Sequence, residues 1–169
     1  MAENEAPDFL TVPSQNGEDS QPQVGMIAQY VKDFSFENPN APAVYNWQNQ
    51  PQIDVQFNIG TQQIADDVHE TALKIEVRAQ AETQVAFLVD LSYAGLFGLR
   101  NIPQEQLDPF LLGEAPRILF PFARRVLADA VRDGGFPPLM LEPIDFTGIY
   151  LQQRAQAGDI AQGEIAGNA

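Results

Sequence analysis

The sequence predicts an α+β domain: a four-stranded antiparallel sheet followed by a long helix and a short C-terminal helix. Between residues 27 and 93, apolar and polar residues alternate with a period of two, which is typical of strands with one buried and one exposed face. Three of these alternating segments follow one another with short links, which favours antiparallel pairing. After residue 103 the alternation gives way to apolar runs bounded by prolines and a diglycine, which indicate helices.

The four strands are predicted at residues 27–37, 52–59, 69–82 and 84–93. In the first strand, Tyr30, Phe34 and Phe36 share one side, on which Lys32 is a misfit. The opposite, outer face of the sheet is predicted to be mainly acidic, with Asp33, Glu37, Asp54, Glu70, Glu76, Glu82 and Asp90 against Lys74 and Arg78. The segment 37–51 carries three prolines and four asparagines, so we expect a loop there, although it also holds Val44, Tyr45 and Trp47.

The second half predicts three helices. A short helix over residues 103–112 is broken near Pro109, and a long one over 115–135 has Pro116 in its first turn and a diglycine at its end. The long helix is apolar on two sides: Leu119, Phe122, Val126 and Ala130 on one, and Phe120, Ala123, Leu127 and Val131 on the other. One sheet covers only one side of a helix, so we expect a second subunit to cover the other. A last helix is predicted to start near Asp145, a suitable N-cap.

Composition narrows the classes of function. The chain of 169 residues has 23 acidic and 9 basic residues, a formal charge of −14, which argues against nucleic acid and anionic membranes as partners. It has no cysteine, which excludes disulfides and thiolate metal sites. Residues 1–25 and 156–169 are acidic or poor in large apolar residues, so we expect flexible tails around a folded domain at 26–155. No signal peptide or apolar span is evident, which predicts a cytoplasmic protein without membrane insertion.

The candidates for catalysis are few. His69 is the only histidine, and Asp66, Asp67 and Glu70 lie near it in the sequence, so a metal site or an acid–base pair is one interpretation. In a strand, however, His69 and Glu70 point to opposite faces. An aspartate-rich turn that leads into a strand explains these residues better, and we expect no enzyme activity, cofactor or metal.

Two other groups of residues leave two interpretations each. The acidic outer face is either a solvated surface or a docking surface for a basic partner, with Leu88 as an apolar point among carboxylates. The apolar residues of the loops either close the core or line a trough for extended peptides.

Five segments between residues 26 and 155 are distinctive: YVKDFSFENPNAPAVYNW, QIADDVHE, AFLVDLSYAGLF, RILFPFARRVL and GGFPPLMLEPIDFTGIYLQQR. In their order and nearly in their spacing, they resemble the SecB family of bacterial export chaperones. The resemblance implies a homotetramer, a dimer of dimers, with its long helices between sheets. It implies oligomer contacts by Phe87, Val89, Leu91, Tyr93, Leu119, Phe122 and Val126.

The same resemblance implies ATP-independent holding of unfolded precursor proteins and their delivery to the motor ATPase SecA, without catalysis. The positions that match the family's SecA contacts are Asp33, Glu37, Leu88 and Asp90. Those that match its client-binding groove are Val44, Tyr45, Trp47, Phe136, Leu139, Phe146 and Tyr150. The alternative is a SecB-like chaperone dedicated to a toxin–antitoxin pair, against which the presence of the four SecA-contact residues counts.

Overall fold

The computed structural model describes residues 20–166, with side chains up to residue 159. Four strands, β1 (Gln23–Glu37), β2 (Gln52–Ala65), β3 (Val68–Ala81) and β4 (Gln84–Arg100), precede three helices, α1 (Gln104–Pro109), α2 (Ala115–Asp133) and α3 (Phe146–Ala166). A 3-10 turn lies at Ala43–Asn46, and a π turn at Phe110–Glu114 joins α1 to α2. The predicted four-stranded antiparallel sheet, long helix and C-terminal helix are confirmed.

The sheet order is β1-β4-β3-β2, and every neighbouring pair is antiparallel. Strands β2 to β4 form consecutive hairpins, whereas β1 pairs with the far side of β4. The loop of residues 38–51 therefore runs from one edge of the sheet to the other along one end of the central strands. This path explains why a proline-rich and asparagine-rich loop carries apolar residues: it crosses an end of the core instead of projecting into solvent.

Strand β1 contains two irregularities that the alternation pattern could not predict. Val31 lies opposite Tyr93 and Asp33 lies opposite the next residue, Ser92, so Lys32 is an extra residue in β1. A second shift separates Met26 from Ala28. Each bulge moves the following side chains to the other face. The expectation that Tyr30 shares the side of Phe34 was therefore wrong, since Tyr30 reaches Glu70 on the outer face.

Helix α2 covers the inner face of the sheet with a single buried stripe that includes Leu119, Phe120, Ala123, Leu127 and Val131. The predicted grouping is corrected for Leu119, which was expected on the side of Phe122 and Val126 but is buried against the sheet. Leu119 and Phe120 are both buried because the stripe is broad enough to include adjacent positions, whereas Phe122, expected beside Leu119, is 41% exposed. The side of α2 away from the sheet thus remains only partly covered within this chain.

Helix α3 begins as predicted, because the Oδ1 atom of Asp145 accepts a hydrogen bond of 2.9 Å from the backbone N–H of Gly148. Its Phe146 ring packs against Phe57 and Phe120, with centroid distances of 6.2 and 5.8 Å. The helix continues to Ala166, although residues 156–169 were expected to be a flexible tail. Alanine, glutamine and glutamate favour the helical backbone even without an apolar face. Residues 1–19 of the predicted N-terminal tail, and 167–169 of the C-terminal one, lie outside the described residues.

Candidate binding surfaces

The four residues expected to contact a motor protein lie on one face of the sheet, on the neighbouring strands β1 and β4. Glu37 is directly opposite Leu88, and two residues further along the strands Ser35 is opposite Asp90. Asp33 follows in the next row, opposite Ser92. Side chains of directly opposed residues in an antiparallel pair point to the same face, so the four form one continuous surface. We call it the acidic face, and it also includes Asp54, Glu76, Lys74 and Arg78 from the adjoining positions of β2 and β3.

Negative charge on the acidic face is concentrated and largely uncompensated. Glu76 lies directly opposite Asp90, and both carboxylates line two shallow depressions with volumes of about 230 and 250 Å³. Lys74 and Arg78 are nearby, but within the part of the chain that the structure describes, no ion pair joins them to the acidic residues of this face. Such a surface attracts basic groups, while the half-buried Leu88 offers an apolar contact in its middle.

Glu70 differs from the other acids that were predicted on the outer face. It is only 7% exposed, and its carboxylate accepts hydrogen bonds from the Tyr30 hydroxyl at 2.5 Å and from the Lys32 ammonium at 2.6 Å. The bulge in β1 makes this contact possible, because it places Tyr30 and Lys32 on the same side as Glu70. Lys32, predicted to be a misfit on an apolar side, is therefore the partner of Glu70. Glu70 lies on the outer face as predicted, but it is buried there instead of exposed.

These contacts shift two pKa values. Burial raises the pKa of Glu70, but the hydrogen bonds from Lys32 and Tyr30, together with the positive charge of Lys32, outweigh burial, so the net pKa lies below its ordinary value. Burial, followed by the hydrogen bond to Glu70 and the charge of Glu70, raises the pKa of Tyr30 to about 12. At neutral pH the cluster consists of a carboxylate, a neutral phenol and an ammonium ion.

The residues expected to line a client groove lie near the loop 38–51 and the connection between α2 and α3. Tyr45 is 51% exposed, and Trp47, Phe136, Leu139 and Tyr150 are half-buried, so these five present apolar surface to solvent. Val44 and Phe146 are buried in the core and lie beneath that surface, not on it. The period-two and helical patterns could not separate these two roles, because burial of a loop residue depends on what the loop crosses.

The loop 38–51 is attached to the rest of the subunit at several points. The side-chain amide of Asn40 donates a hydrogen bond of 2.7 Å to the carbonyl of Val85 at the start of β4. The Tyr45 hydroxyl donates to the carbonyl of Gly134 at the end of α2, at 2.7 Å. The Tyr45 ring also contacts Phe136, with centroids 5.7 Å apart. These attachments place the loop beside the segment that follows α2.

Most of the residues expected at an oligomer interface are already covered within this chain. Phe87, Val89, Leu91, Tyr93 and Leu119 belong to the core between the sheet and α2, whereas Phe122 and Val126 keep accessible surface. The Phe122 ring stacks on that of Tyr93, with centroids 6.5 Å apart and planes inclined by 8°. The five core residues can therefore only pack beneath residues that contact a partner, whereas Phe122 and Val126 can contact a partner directly.

An exposed apolar strip on β1 was missed by the sequence analysis. Val24, Met26, Val31 and Phe34 are all exposed, and their opposite residues on β4, which include Tyr93 and Leu91, belong to the core. These side chains therefore lie on the inner face, beyond the edge of α2. The two bulges interrupt the alternation of β1, so no simple period in the sequence marks the strip.

The candidate catalytic group is not assembled into a site. Asp66 and Asp67 form the two-residue turn between β2 and β3, where Asp67 has a φ of 58°. His69 lies opposite Phe97 on the inner face, and its Nδ1 atom is buried with no hydrogen-bond partner in the described structure. Among the described residues, no three histidines or carboxylates come together as metal ligands. The helices within residues 20–166 are too short or too polar to cross a membrane.

The fold is similar to that of a solved SecB-like chaperone from Mycobacterium tuberculosis, determined in complex with a peptide from an antitoxin. The TM-score is 0.60 with 19% sequence identity, over 72% of this chain and 90% of the other. At that identity the match supports the fold alone. It places this chain in the class of α+β proteins that combine a four-stranded antiparallel sheet with helices packed on one face.

Sequence comparison identifies the family. The family model described as Preprotein translocase subunit SecB matches residues 17–157, so this chain belongs to the SecB family, as the five motifs predicted. The protein-export protein SecB of Rhizorhabdus wittichii is 60% identical over 167 residues, which cover 99% of this chain and 98% of that protein. The protein-export protein SecB of Zymomonas mobilis is 62% identical over 151 residues, 89% of this chain and 92% of that protein.

Proposed function

We propose that this chain is an ATP-independent chaperone that holds unfolded precursor proteins in the cytoplasm and delivers them to the motor ATPase SecA for export. The observation that carries the proposal is similarity to protein-export SecB proteins over nearly the whole length, at 60% identity over 99% of the chain. SecB is not an enzyme family, and the proposed activity is binding without a chemical reaction. It requires three surfaces: one for the motor, one for clients and one for assembly.

The acidic face is proposed to bind SecA through Asp33, Glu37, Leu88 and Asp90. Support comes from the register, which makes these residues neighbours, and from their carboxylates, which form no ion pairs within the described part of the chain. Unpaired surface carboxylates steer a basic partner and exchange water for charged hydrogen bonds when it binds. Leu88 adds an apolar contact that favours one docking position over others.

The client groove is proposed to use Tyr45, Trp47, Phe136, Leu139 and Tyr150, with Val44 and Phe146 supporting it from the core. Exposed aromatic and aliphatic side chains bury apolar area against an extended chain without reading its sequence. Met140, at 65% exposure, lies beside Leu139, and a flexible methionine adapts to varied partners. Such a surface suits a protein that must hold many unrelated precursors.

The homotetramer, a dimer of dimers, is proposed to cover the exposed strip of β1 and the free side of α2. Val31, Phe34 and Phe122 are each more than two fifths exposed in one subunit. An apolar strip of this kind, continuous with a buried core, is typical of a surface that a second copy covers. A dedicated toxin–antitoxin chaperone is not favoured, because the relatives that cover this chain almost completely are protein-export proteins.

Native mass measurement of the purified protein, alone and with an unfolded export precursor and SecA, tests the three surfaces together. We expect a tetramer, a tetramer–precursor complex, and transfer of the precursor complex to SecA. Trp47→Ala should weaken precursor capture several-fold without changing the tetramer, and Trp47→Phe should retain most of the capture, since it keeps an aromatic ring. A wild-type protein that stays monomeric, or that leaves aggregation of the precursor unchanged, would refute the proposal.

A further inference from the structure

The Tyr45 hydroxyl takes part in a three-membered hydrogen-bonded group that joins two distant segments. It donates to the carbonyl of Gly134 at 2.7 Å and accepts a bond of 2.9 Å from the side-chain amide of Asn38. The same Asn38 nitrogen also donates to the Gly134 carbonyl, at 3.2 Å. The loop 38–51 is thus hydrogen-bonded to Gly134, which directly follows α2 and lies 89 residues after Tyr45 in the sequence.

The diglycine after α2 provides the space for this contact. A Cβ atom on Gly134 would collide with the ring of Phe36, and one on Gly135 would lie 2.9 Å from the ring of Tyr45. Gly135 also has a φ of +86°, a backbone conformation that glycine adopts without strain. Both glycines are therefore required by the aromatic rings beside them, in addition to ending the helix.

The Tyr45 ring continues into a row of aromatic contacts. Its centroid is 5.7 Å from that of Phe136, which is in turn 4.8 Å from that of Phe87. Phe136 is among the proposed groove residues, and Trp47 follows Tyr45 by two positions. The hydroxyl therefore fixes the distance between the two walls of the proposed groove, the loop on one side and the segment after α2 on the other.

We propose that Tyr45 is a positioning residue of the client groove: its hydroxyl holds the loop 38–51 on α2, so that Trp47 and Phe136 are ordered before a client arrives. This inference rests on the proposed function and adds a role for one atom within it. A groove that is already ordered does not lose conformational freedom when it binds, and its affinity is correspondingly higher. The exposed part of the Tyr45 ring remains available for client contact, so the hydroxyl and the ring have separable effects.

The test compares two hydrogen-bonded tyrosines from different parts of the chain. Tyr45→Phe removes only the hydroxyl that holds the loop, and Tyr30→Phe is the matched control, because the Tyr30 hydroxyl donates to Glu70 on the outer face of the sheet, outside the proposed groove. Amide hydrogen exchange of residues 40–47 in the free tetramer reports loop opening. Dissociation of a labelled unfolded precursor reports groove affinity. Both are measured on the full-length protein.

We expect Tyr45→Phe to raise loop exchange about fivefold, the factor that corresponds to one hydrogen bond of about 1 kcal/mol. Precursor affinity should fall by about the same factor, while Tyr30→Phe changes neither the loop exchange nor the precursor affinity. Asn38→Ala should raise exchange too, and the double variant should show less than the sum of the two effects, because both residues act on the same carbonyl. A residue that merely stabilised the fold would instead change exchange throughout the subunit.

Unchanged exchange of residues 40–47 in Tyr45→Phe would overturn the proposal, as would faster exchange with wild-type precursor affinity. If the wild-type protein captured no precursor, the proposed function would fail and, with it, the positioning role in client binding. The exchange measurement would then still decide whether the hydroxyl fastens the loop. Failure of the proposed function and failure of the inference are therefore distinguishable.

Discussion

Replacing Asp90 by asparagine should separate docking from stability on the acidic face. Asp90 lies opposite Ser35 on β1 and opposite Glu76 on β3, so its two cross-strand neighbours include a like charge and no cation. Directly opposed like charges on a sheet destabilise it by roughly 0.2–1 kcal/mol. Asp90→Asn keeps the shape of the side chain and removes this repulsion, so we expect the free energy of unfolding to rise by about that amount.

The affinity for SecA should fall in Asp90→Asn, although the stability of the fold rises. An exposed charge contact with a basic partner contributes about 0.5–1 kcal/mol, so Asp90→Asn should weaken binding by roughly two- to fivefold. Asp90→Lys, which replaces an attraction by a repulsion, should weaken it further. Both losses should shrink as salt is added, because surface charges are screened.

Denaturant unfolding and SecA titrations at low and physiological ionic strength measure the two effects. Asp129→Asn is a suitable control, since this acid is on α2 and not on the acidic face. Its carboxylate pairs with Arg132 at a distance of 3.1 Å. It should leave SecA affinity unchanged and lower stability slightly. Lower stability of Asp90→Asn together with wild-type SecA affinity would refute the reasoning, because the carboxylate would then be a structural group and not a docking group.

Two further substitutions test the buried cluster and the assembly. Glu70→Gln should lower the free energy of unfolding by about 1–2 kcal/mol at neutral pH, because an amide cannot replace the charged bond to Lys32. The folded-state pKa of Glu70 is below its unfolded value. The stability difference between the wild type and Glu70→Gln should therefore be present above about pH 4.3 and disappear as the pH falls through the folded-state pKa. A stability difference that did not depend on pH would contradict a charged bond between Glu70 and Lys32. The variant should also bring the pKa of Tyr30, about 12 in the wild type, down toward that of a free tyrosine in an absorbance titration. Phe122→Glu should reduce the tetramer to smaller species in light scattering. Arg125→Glu, which changes an exposed charge on the same helix that is not among the predicted oligomer contacts, should not. If Phe122→Glu remained a tetramer, Phe122 would not belong to the interface.

The strands with strict alternation could be predicted from the sequence, whereas the faces on which the side chains of β1 lie could not. Over residues 73–79 of β3 and 87–93 of β4, buried residues alternate with more exposed ones, as the sequence pattern predicted. In β1 the extra residue Lys32 reverses the assignment of Tyr30, and the reason is non-local. Lys32 and Tyr30 bind Glu70, about 40 residues away, and no pattern within β1 contains that information.

The helices show a similar division between local and non-local information. Pro116, the diglycine and Asp145 mark helix ends through backbone chemistry, and these boundaries were predictable. Which side of α2 meets the sheet was not, because a helix with apolar residues on two sides can be placed either way. The structure buries Leu119 together with Phe120 and leaves Phe122 at the surface.

The two proposed binding surfaces are separated by the thickness of one sheet, and this limits which substitutions can test them. Glu37 and Leu88 face outward as an opposed pair, while their neighbours in sequence, Phe36 and Phe87, face inward with ring centroids 6.1 Å apart. Phe87 also contacts Phe136, which is a proposed groove residue. A change to either inward phenylalanine would disturb the strand that carries the docking residues and the groove wall at once, so its effects on SecA and on clients could not be assigned. Outward residues such as Leu88 point away from that cluster, since successive residues of a strand point to opposite faces. Loss of SecA affinity with intact client capture in Leu88→Ser would therefore be evidence about docking itself.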